Sequence, residues 1–437
     1  MTQEHLIDEG RFSPSDGNLV LYGDLHIHSY LSRATSAQMN LQELSKNALR
    51  KGLSVLGTGD FTHPIWVKEL KGLLSPFAES GLYSFGGVLW MLQTEISTVY
   101  KDDGKTRKIH HIIYAPDFET VEQINDVLST YGRLDVDGRP LFDNITSPHL
   151  VEILKGISPE IQIVPAHAWT SWWSIFGAFS GFDSVKECYQ DQAGHIFALE
   201  TGLSSDPPMN WRLSELDDYA LVSNSDAHSP WIWRLGREFN AFKLETPSYR
   251  KIFDAIRERD SSRFLFTGEV SPEYGKYHLT GHRKCGIRLS PIEASRRQNI
   301  CPTCGRKLTV GVLQRVEELA DRPEGYTPPE TIPYRTILPL YEIISHMLGV
   351  KALYSERVLE VVDGLIGRFR TELRVLLEVE RQRLEEVCGR AIASSIVAVR
   401  EGRVTYEAGY DGLYGVPVFP AEETEEVRRS ATLDELM

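Results

Sequence analysis

The chain has 437 residues, of which 41% are hydrophobic and 25% charged, and its formal net charge is -14 at pH 7. A single hydrophobic core stops growing below this length, so we expect two or more domains. No apolar run is long enough to span a bilayer, and residues 1–10 lack a signal-peptide core, so we expect a cytoplasmic protein with no membrane partner. The five cysteines are too few and too unevenly spaced for a disulfide framework.

Strands and helices alternate over residues 17–270. An apolar strand over 19–25 precedes a helix that Asn40 caps and Gly52 ends, and a short strand follows over 53–56. Residues 88–96 and 109–115 are expected to form a hairpin. Further strands are predicted over 161–165, 196–199 and 220–222. This alternation favours an α/β fold with a parallel sheet or barrel.

Imidazoles and carboxylates follow or end these strands. A barrel gathers the carboxyl ends of its strands on one face, so we expect these side chains to converge. Their mixed chemistry suits zinc, manganese or iron, and their number exceeds what one tetrahedral ion needs. A lone histidine at a strand end usually only makes hydrogen bonds, but the whole set favours metal. The predicted ligands are His26, His28, Asp60, Glu95, His111, His167, Asp226 and His228.

One choice among these ligands concerns neighbouring histidines. Only one of His110 and His111 can face the site if the segment is extended, and we choose His111. His63 is kept as a reserve ligand.

An aromatic segment over residues 169–182 offers rings on which extruded bases could stack. Most of these rings are expected to belong to the core. Trp172 and Trp173 are adjacent, so one of them should face outward, and both are predicted to contact DNA.

A second, structural zinc site is predicted from His282, Cys285, Cys301 and Cys304, because two residues separate the ligands of each pair. His278 is an alternative to His282. The negative net charge disfavours nucleic acid, yet the only acidic residue between 283 and 315 is Glu293. The basic residues predicted to contact DNA there are Arg283, Lys284, Arg296 and Arg297.

The remaining chain is expected to be helical. Residues 322–333 read as a proline-rich linker, and helices follow over 338–400. The longest helix is expected to start at Ser355 and to carry one apolar stripe. That stripe comprises Leu365, Ile366, Phe369, Leu373, Leu376 and Leu377.

Three segments resemble motifs of the PHP (polymerase and histidinol phosphatase) superfamily: residues 24–29 (Asp-Leu-His-Ile-His-Ser), 166–168 (Ala-His-Ala) and 225–229 (Ser-Asp-Ala-His-Ser). The resemblance implies a distorted seven-stranded β/α barrel with a multinuclear site for Mg²⁺, Mn²⁺ or Zn²⁺. In such a site Asp226 would bridge metals or orient the attacking water, and His228 or His167 would protonate the leaving oxygen. The chain departs from the family at Asp60, where a histidine is common.

The order of parts also resembles the endonuclease Q family, through residues 57–64, 165–170, 301–305 and 409–415. This resemblance implies a DNA repair endonuclease that cuts 5′ to deaminated bases (uracil, hypoxanthine, xanthine) and abasic sites. It implies a PHP catalytic domain over 1–272, a zinc-ribbon module over 273–323, an α-helical C-terminal domain over 324–420 and a disordered tail over 421–437. Damaged DNA and a sliding clamp are the expected partners, at the nucleoid.

Two other functions remain open. A small-molecule phosphatase or phosphodiesterase would share the barrel but would not need the zinc module. A non-catalytic nucleic-acid adaptor would use metals only to hold the fold.

Overall fold

The computed structural model describes residues 19–420, and the expected tail over 421–437 lies outside the described residues. Its strands are β1 (Leu19–Asp24), β2 (Val55–Gly57), β3 (Ser75–Pro76), β4 (Tyr83–Phe85), β5 (Val88–Asp102), β6 (Lys105–Ala115), β7 (Leu141–Phe142), β8 (Gln162–Pro165), β9 (Ala198–Glu200), β10 (Ala220–Val222), β11 (Phe239–Leu244), β12 (Phe264–Val270), β13 (Thr280–His282), β14 (Ile287–Leu289), β15 (Tyr334–Ile337), β16 (Thr405–Glu407) and β17 (Val416–Val418).

The helices alternate with these strands in the first half and dominate the last third. They are α1 (Leu41–Lys51), α2 (Pro64–Leu73), α3 (Phe118–Ser129), α4 (Ser147–Ile157), α5 (Val185–Tyr189), α6 (Pro207–Asn210), α7 (Tyr249–Arg257), α8 (Pro291–Arg296), α9 (Val312–Leu319), α10 (Leu340–Met347), α11 (Glu356–Phe369), α12 (Glu372–Leu377) and α13 (Arg381–Arg400). Over residues 19–420, no helix is long and apolar enough to cross a membrane.

A mixed sheet organises the first half. Its strands follow the order β15-β12-β11-β1-β2-β5-β4-β3, and β6 joins β5 to β8. The neighbours β1, β2 and β5 run parallel, whereas β6 is antiparallel to both β5 and β8. The parallel pair β9-β10 lies beside β8, and the amide of Ala168 donates to the carbonyl of Glu200. The carboxyl ends of β1, β2, β8, β9 and β10 therefore approach one another.

The apolar residues of these strands form a buried cluster beneath those strand ends. Leu21, Met91 and Val164 are all at most 2% exposed. Burying side chains of this size contributes roughly 1.5–3 kcal/mol each. The helix α7 covers this cluster with Ile252 and Phe253. The polar residues at the strand ends therefore lie next to a closely packed apolar core.

The C-terminal helices differ from expectation. The helix that begins after Ser355 ends at Phe369, because Arg370 adopts a left-handed backbone with φ 81°. The expected apolar stripe is buried, but it is divided between α11 and α12. The longest helix of the described chain is instead α13, and Gly389 (φ 74°, ψ 165°) interrupts it.

A buried ion pair ties these helices to the sheet region. Lys51, the last residue of α1, places its Nζ 2.9 Å from Glu372 Oε1, and both side chains are 0% exposed. The same ammonium donates to the carbonyl of Ile232, and Leu340 N donates to Glu372 Oε1. Each partner is therefore matched by an opposite charge, and Glu372 Oε1 takes both hydrogen bonds, whereas Glu372 Oε2 is buried without a hydrogen-bond partner.

Candidate metal centre

The first pair of imidazoles follows β1 directly. His26 and His28 are both 0% exposed, and their ring centroids lie 5.5 Å apart. Asp24 precedes them and accepts from the amide and hydroxyl of Ser225 and from the amide of Gly236. Asp24 therefore joins the two ligand segments and is not itself a ligand. Burial raises the pKa of Asp24 to about 6.

Glu95, on β5, stands at the centre of the cluster. Its Oε1 lies 2.7 Å from His110 Nδ1 and 3.3 Å from His167 Nε2, and its Oε2 lies 3.4 Å from His28 Nε2. Burial alone would raise the pKa of this carboxyl, but His110 and Arg139 hold the pKa well below its ordinary value. The Glu95 carboxylate therefore stays ionised, and its two oxygens lie close to three imidazoles.

Asp226 and His228 approach from the loop after β10. Asp226 Oδ1 lies 3.1 Å from His28 Nε2 and 3.5 Å from His228 Nδ1. Burial would raise the pKa of Asp226, but the charge of His228 and the hydrogen bond from His28 lower it below the ordinary range. Both side chains remain about one third exposed, at 30% and 33%. This side of the cluster is open to a substrate.

Three overlapping groups of ligand atoms result, each with all its atoms within 4.8 Å: His26, His28 and Glu95; His28, Asp226 and His228; and Glu95, His110 and His167. The first group shares His28 with the second and Glu95 with the third, so ions held by these groups would be neighbours. His26 Nε2 is buried without a hydrogen-bond partner, an arrangement that costs free energy unless another group binds it. The donor set and this orphaned nitrogen both fit divalent ions.

The structure corrects the choice between the neighbouring histidines. His111 lies away from the cluster, with Nε2 3.0 Å from Thr98 Oγ1 and Nδ1 2.8 Å from Tyr189 Oη. In the β5-β6 ladder Glu95 is opposite Ile112, and His111 is opposite Ile96. Because side chains alternate between faces, His110 shares the face of Glu95 and His111 takes the other.

Asp60 also departs from its predicted role. Its Oδ1 lies 3.0 Å from His28 Nδ1, and its Oδ2 accepts from the amide and hydroxyl of Ser29 and from Ser32 Oγ. With both oxygens used, Asp60 orients His28 and belongs to none of the three groups. The reserve residue His63 caps α2 by accepting from Ile65 N.

Sequence reasoning missed Glu200, the last residue of β9. Its carboxylate lies 3.0 Å from His26 Nδ1 and accepts from His167 N and from Asn224 Nδ2. A carboxylate or backbone partner on the far nitrogen fixes the orientation of a metal-binding histidine. The signal was present, because Glu200 ends a strand like the residues that were chosen.

The backbone is strained at three of the predicted ligands. Asp60, His167 and Asp226 have φ values of 48°, 29° and 46°. Such conformations cost about 1–3 kcal/mol each in residues other than glycine and persist where the surroundings impose them. The backbone conformation therefore helps to fix the directions in which these three side chains point.

Comparison with known structures decides the family. The chain is 32% identical to the lesion-specific endonuclease PfuEndoQ of Pyrococcus furiosus, with a TM-score of 0.83, 93% of this chain covered and 96% of that one. An endonuclease Q bound to a 27-mer duplex substrate with an abasic lesion at its active site matches with the same identity and TM-score, and 98% of its chain is covered. The chain belongs to the endonuclease Q family.

This membership confirms the family resemblance and the expected enzyme class, a metal-dependent phosphodiesterase that acts as a DNA endonuclease. Among curated proteins, the Bacillus subtilis protein YqxK is 28% identical over 90% of this chain and 98% of its own length. The Methanocaldococcus jannaschii protein MJ0043 is 32% identical over 61% of this chain, and the match spans only 33% of that protein. Residues 339–403 match the family model of the MJ0043 C-terminal domain.

A separate cluster lies in the small loop-rich segment that follows β12. His282, Cys285, Cys301 and Cys304 bring their ligand atoms within 4.8 Å of one another, which is compatible with a zinc site. The alternative ligand His278 is outside this group, and its Nδ1 is buried without a partner.

The residues predicted to contact DNA lie at the surface. Trp172 is 38% exposed and stacks on Phe179 at a centroid distance of 4.9 Å, whereas the half-buried Trp173 packs on His110 at 5.0 Å. The basic residues predicted on the zinc-binding segment, Arg283, Lys284, Arg296 and Arg297, are exposed. Of the aromatic segment, Trp169, Phe176 and Phe182 are buried as expected of core residues.

Proposed function

We propose that the protein nicks DNA on the 5′ side of a damaged nucleotide, and that its lesions are uracil, hypoxanthine, xanthine and abasic sites. The observation that carries this proposal is the match along nearly the whole chain to an endonuclease Q bound to an abasic duplex. The cluster of imidazoles and carboxylates supports it, because it supplies what phosphodiester hydrolysis needs. In this proposal the sheet and its helices form a PHP-type distorted seven-stranded barrel.

Mg²⁺, Mn²⁺ or Zn²⁺ would be held by His26, His28, Glu95, His110, His167, Asp226 and His228. When bound, such ions lower the pKa of water and neutralise charge on phosphate oxygens. The chain's own residues supply the rest. Glu200 and Asp60 hold His26 and His28 through their Nδ1 atoms, so the Nε2 atoms face the shared centre.

Three residues are proposed to act on the reacting atoms. Asp226 orients the attacking water, because its carboxylate lies at the open side of the cluster. His228 lies beside it, one third exposed, and is placed to give a proton to the leaving sugar oxygen. His167 is the alternative proton donor of this proposal, with its Nδ1 bonded to Thr170 Oγ1 and its Nε2 facing Glu95. Whichever of the two histidines gives the proton would carry it on Nε2 and would not hold an ion.

The surface around the cluster is proposed to hold the duplex. Trp172, with Phe179 stacked on it, offers an exposed ring to an unpaired base, and Trp173 lies next to His110. The exposed basic residues of the zinc-binding segment would contact phosphates. One structural Zn²⁺ would hold that segment.

The domain division over 1–272, 273–323 and 324–420 is kept as part of this proposal, as is a cytoplasmic, nucleoid-bound location. A sliding clamp as second partner stays a prediction.

The direct test uses labelled duplexes that carry uracil, hypoxanthine, an abasic site or no damage, incubated with the protein and Mn²⁺ or Mg²⁺. We expect one nick immediately 5′ of each lesion and none in intact DNA. Equal cutting of intact DNA would reject lesion specificity. Faster hydrolysis of 4-nitrophenyl phosphate than of damaged DNA would favour the small-molecule phosphatase, and binding without cutting would favour the adaptor.

A further inference from the structure

A cavity of about 420 Å³ opens beside the cluster. His110 and Trp173 form its wall toward the cluster, and Arg33, Arg133 and Arg139 make its other walls basic. Two of these arginines are paired with other carboxylates, Arg33 with Asp137, which also lines the cavity, and Arg133 with Asp135. Arg139 differs, because over residues 19–420 its paired carboxylate is Glu95, with Nη1 3.0 Å from Oε2.

The backbone fixes Arg139 at the rim of the cluster. The preceding residue, Gly138, donates its amide to Leu31 O and accepts from Thr62 Oγ1. A Cβ at Gly138 would lie 2.3 Å from Asp60 Oδ2, so only glycine permits this approach. These contacts hold the loop that carries Arg139 against Asp60, the residue that orients His28.

The hydrogen bonds of Arg139 leave most of its donors free. A guanidinium has five N–H donors, and within the described chain one of them binds a carboxylate, that of Glu95. None of its nitrogens is buried without a partner, and its side chain is 26% exposed, toward the cavity. Divalent ions bound to Glu95 would neutralise that carboxylate in place of Arg139. The guanidinium of Arg139 would then lack an anionic partner, and the cavity beside it has room for one.

We propose that Arg139 is a catalytic residue that donates to a non-bridging oxygen of the phosphodiester being cut. The proposal rests on the proposed function, and it adds a residue outside the set of candidate metal ligands. During hydrolysis a water oxygen bonds to phosphorus, the bond to the leaving sugar oxygen breaks, and that oxygen takes up a proton. Negative charge on the non-bridging oxygens persists through this step, and Arg139 stabilises it without gaining or losing a proton.

The test compares Arg139→Ala and Arg139→Lys with wild type in single-turnover cutting of an abasic duplex at saturating Mn²⁺. Arg250→Ala is the matched control, since that arginine also faces a carboxylate, Asp254 at 3.7 Å, but is 85% exposed. We expect the alanine variant to lose about 100-fold or more in rate, as when one transition-state donor is removed. The lysine variant should recover only part, because an ammonium lacks the planar fork. Guanidinium ion added to the alanine variant should restore part of the rate.

A second readout separates catalysis from support of Glu95. Bound Mn²⁺ per chain is counted by electron paramagnetic resonance, and circular dichroism checks the fold. We expect an unchanged Mn²⁺ count in Arg139→Ala. A wild-type cutting rate in this variant, or a rate deficit that disappears as Mn²⁺ is raised, would overturn the proposal. If wild type cuts bis(4-nitrophenyl) phosphate but not damaged DNA, the DNA assignment fails, and the same variants are then compared on that diester.

Discussion

Glu200 contacts the imidazole of His26 and accepts from the backbone amide of His167, so we expect the site to be sensitive to its replacement. We expect Glu200→Gln to weaken Mn²⁺ affinity or cutting by about 10–100-fold, since an amide cannot accept from both His26 Nδ1 and His167 N while Asn224 also donates. Titration of Mn²⁺ against cutting rate measures this. Glu119→Gln, on the exposed first turn of α3, is the control and should leave both quantities unchanged.

Asp226 is the residue on which the proposed chemistry depends most. An amide at this position keeps the shape of the side chain but removes the charge that His28 and His228 face. We expect Asp226→Asn to abolish cutting of abasic duplexes while duplex binding, measured by fluorescence anisotropy, is retained. An active Asp226→Asn protein would contradict the role assigned to this carboxylate.

At the scale of single residues, local pattern identified candidate ligands in the segments that follow strands. His26, His28 and Asp226 follow that rule, although Asp226 has a left-handed backbone and not the expected extended one. The choice of His111 failed although the sequence contained the answer. The turn at Asp103 and Gly104 pairs Asp102 with Lys105, which fixes the register and puts His110 on the face of Glu95. Arg139 carried no comparable signal, because its position depends on a loop closing through Gly138.

Among the elements, the packing of α1 against α12 is the feature whose disruption should cost most stability. We expect Lys51→Met to lower the free energy of unfolding by about 3–5 kcal/mol, because Glu372 would stay buried without its cation. Urea unfolding measures this. The neighbouring pair Arg50–Asp363 is the matched control, since its side chains are 36% and 57% exposed. Arg50→Ala should cost only about 0–1 kcal/mol.

The cluster of His282, Cys285, Cys301 and Cys304 gives a prediction on the small zinc-binding segment. We expect Cys304→Ala to bind one zinc ion fewer per chain than wild type by atomic absorption and to melt at a lower temperature, because metal binding contributes to folding such segments. Cys388→Ala removes a distant thiol and should keep the zinc. Retention of zinc by Cys304→Ala would exclude this site.

In the first half the predicted strands are present and Asn40 and Gly52 do cap α1, but β5 and β6 extend beyond the predicted runs and β11 and β12 were not predicted. The predicted helix boundaries failed where backbone conformation decided the outcome. The apolar stripe of α11 and α12 has uninterrupted helical spacing, so nothing in its hydrophobic pattern revealed the left-handed Arg370. The strand β15 was missed because it has only four residues, beside a proline-rich segment.

For the molecule as a whole, the net charge of -14 makes DNA binding depend on a few basic sites. We expect the double variant Arg296→Ala, Arg297→Ala to reduce the slope of log affinity against log salt by about 0.9 for each phosphate that these arginines neutralise. Anisotropy titrations over a range of KCl concentrations measure the slope. The control removes Arg250 and Lys251, which are exposed on α7, and should leave the slope unchanged. An unchanged slope in the first variant would place the DNA elsewhere.

The strand β15 lies beyond the proline-rich segment and yet pairs in parallel with β12, through Thr267 opposite Tyr334 and Val270 opposite Ile337. A shortened version of the chain that stops before this strand would leave the backbone donors and acceptors of β12 uncovered. Bare strand edges recruit other strands, so such a fragment is expected to self-associate. Truncations intended for fusion or crystallisation should therefore retain residues 334–337.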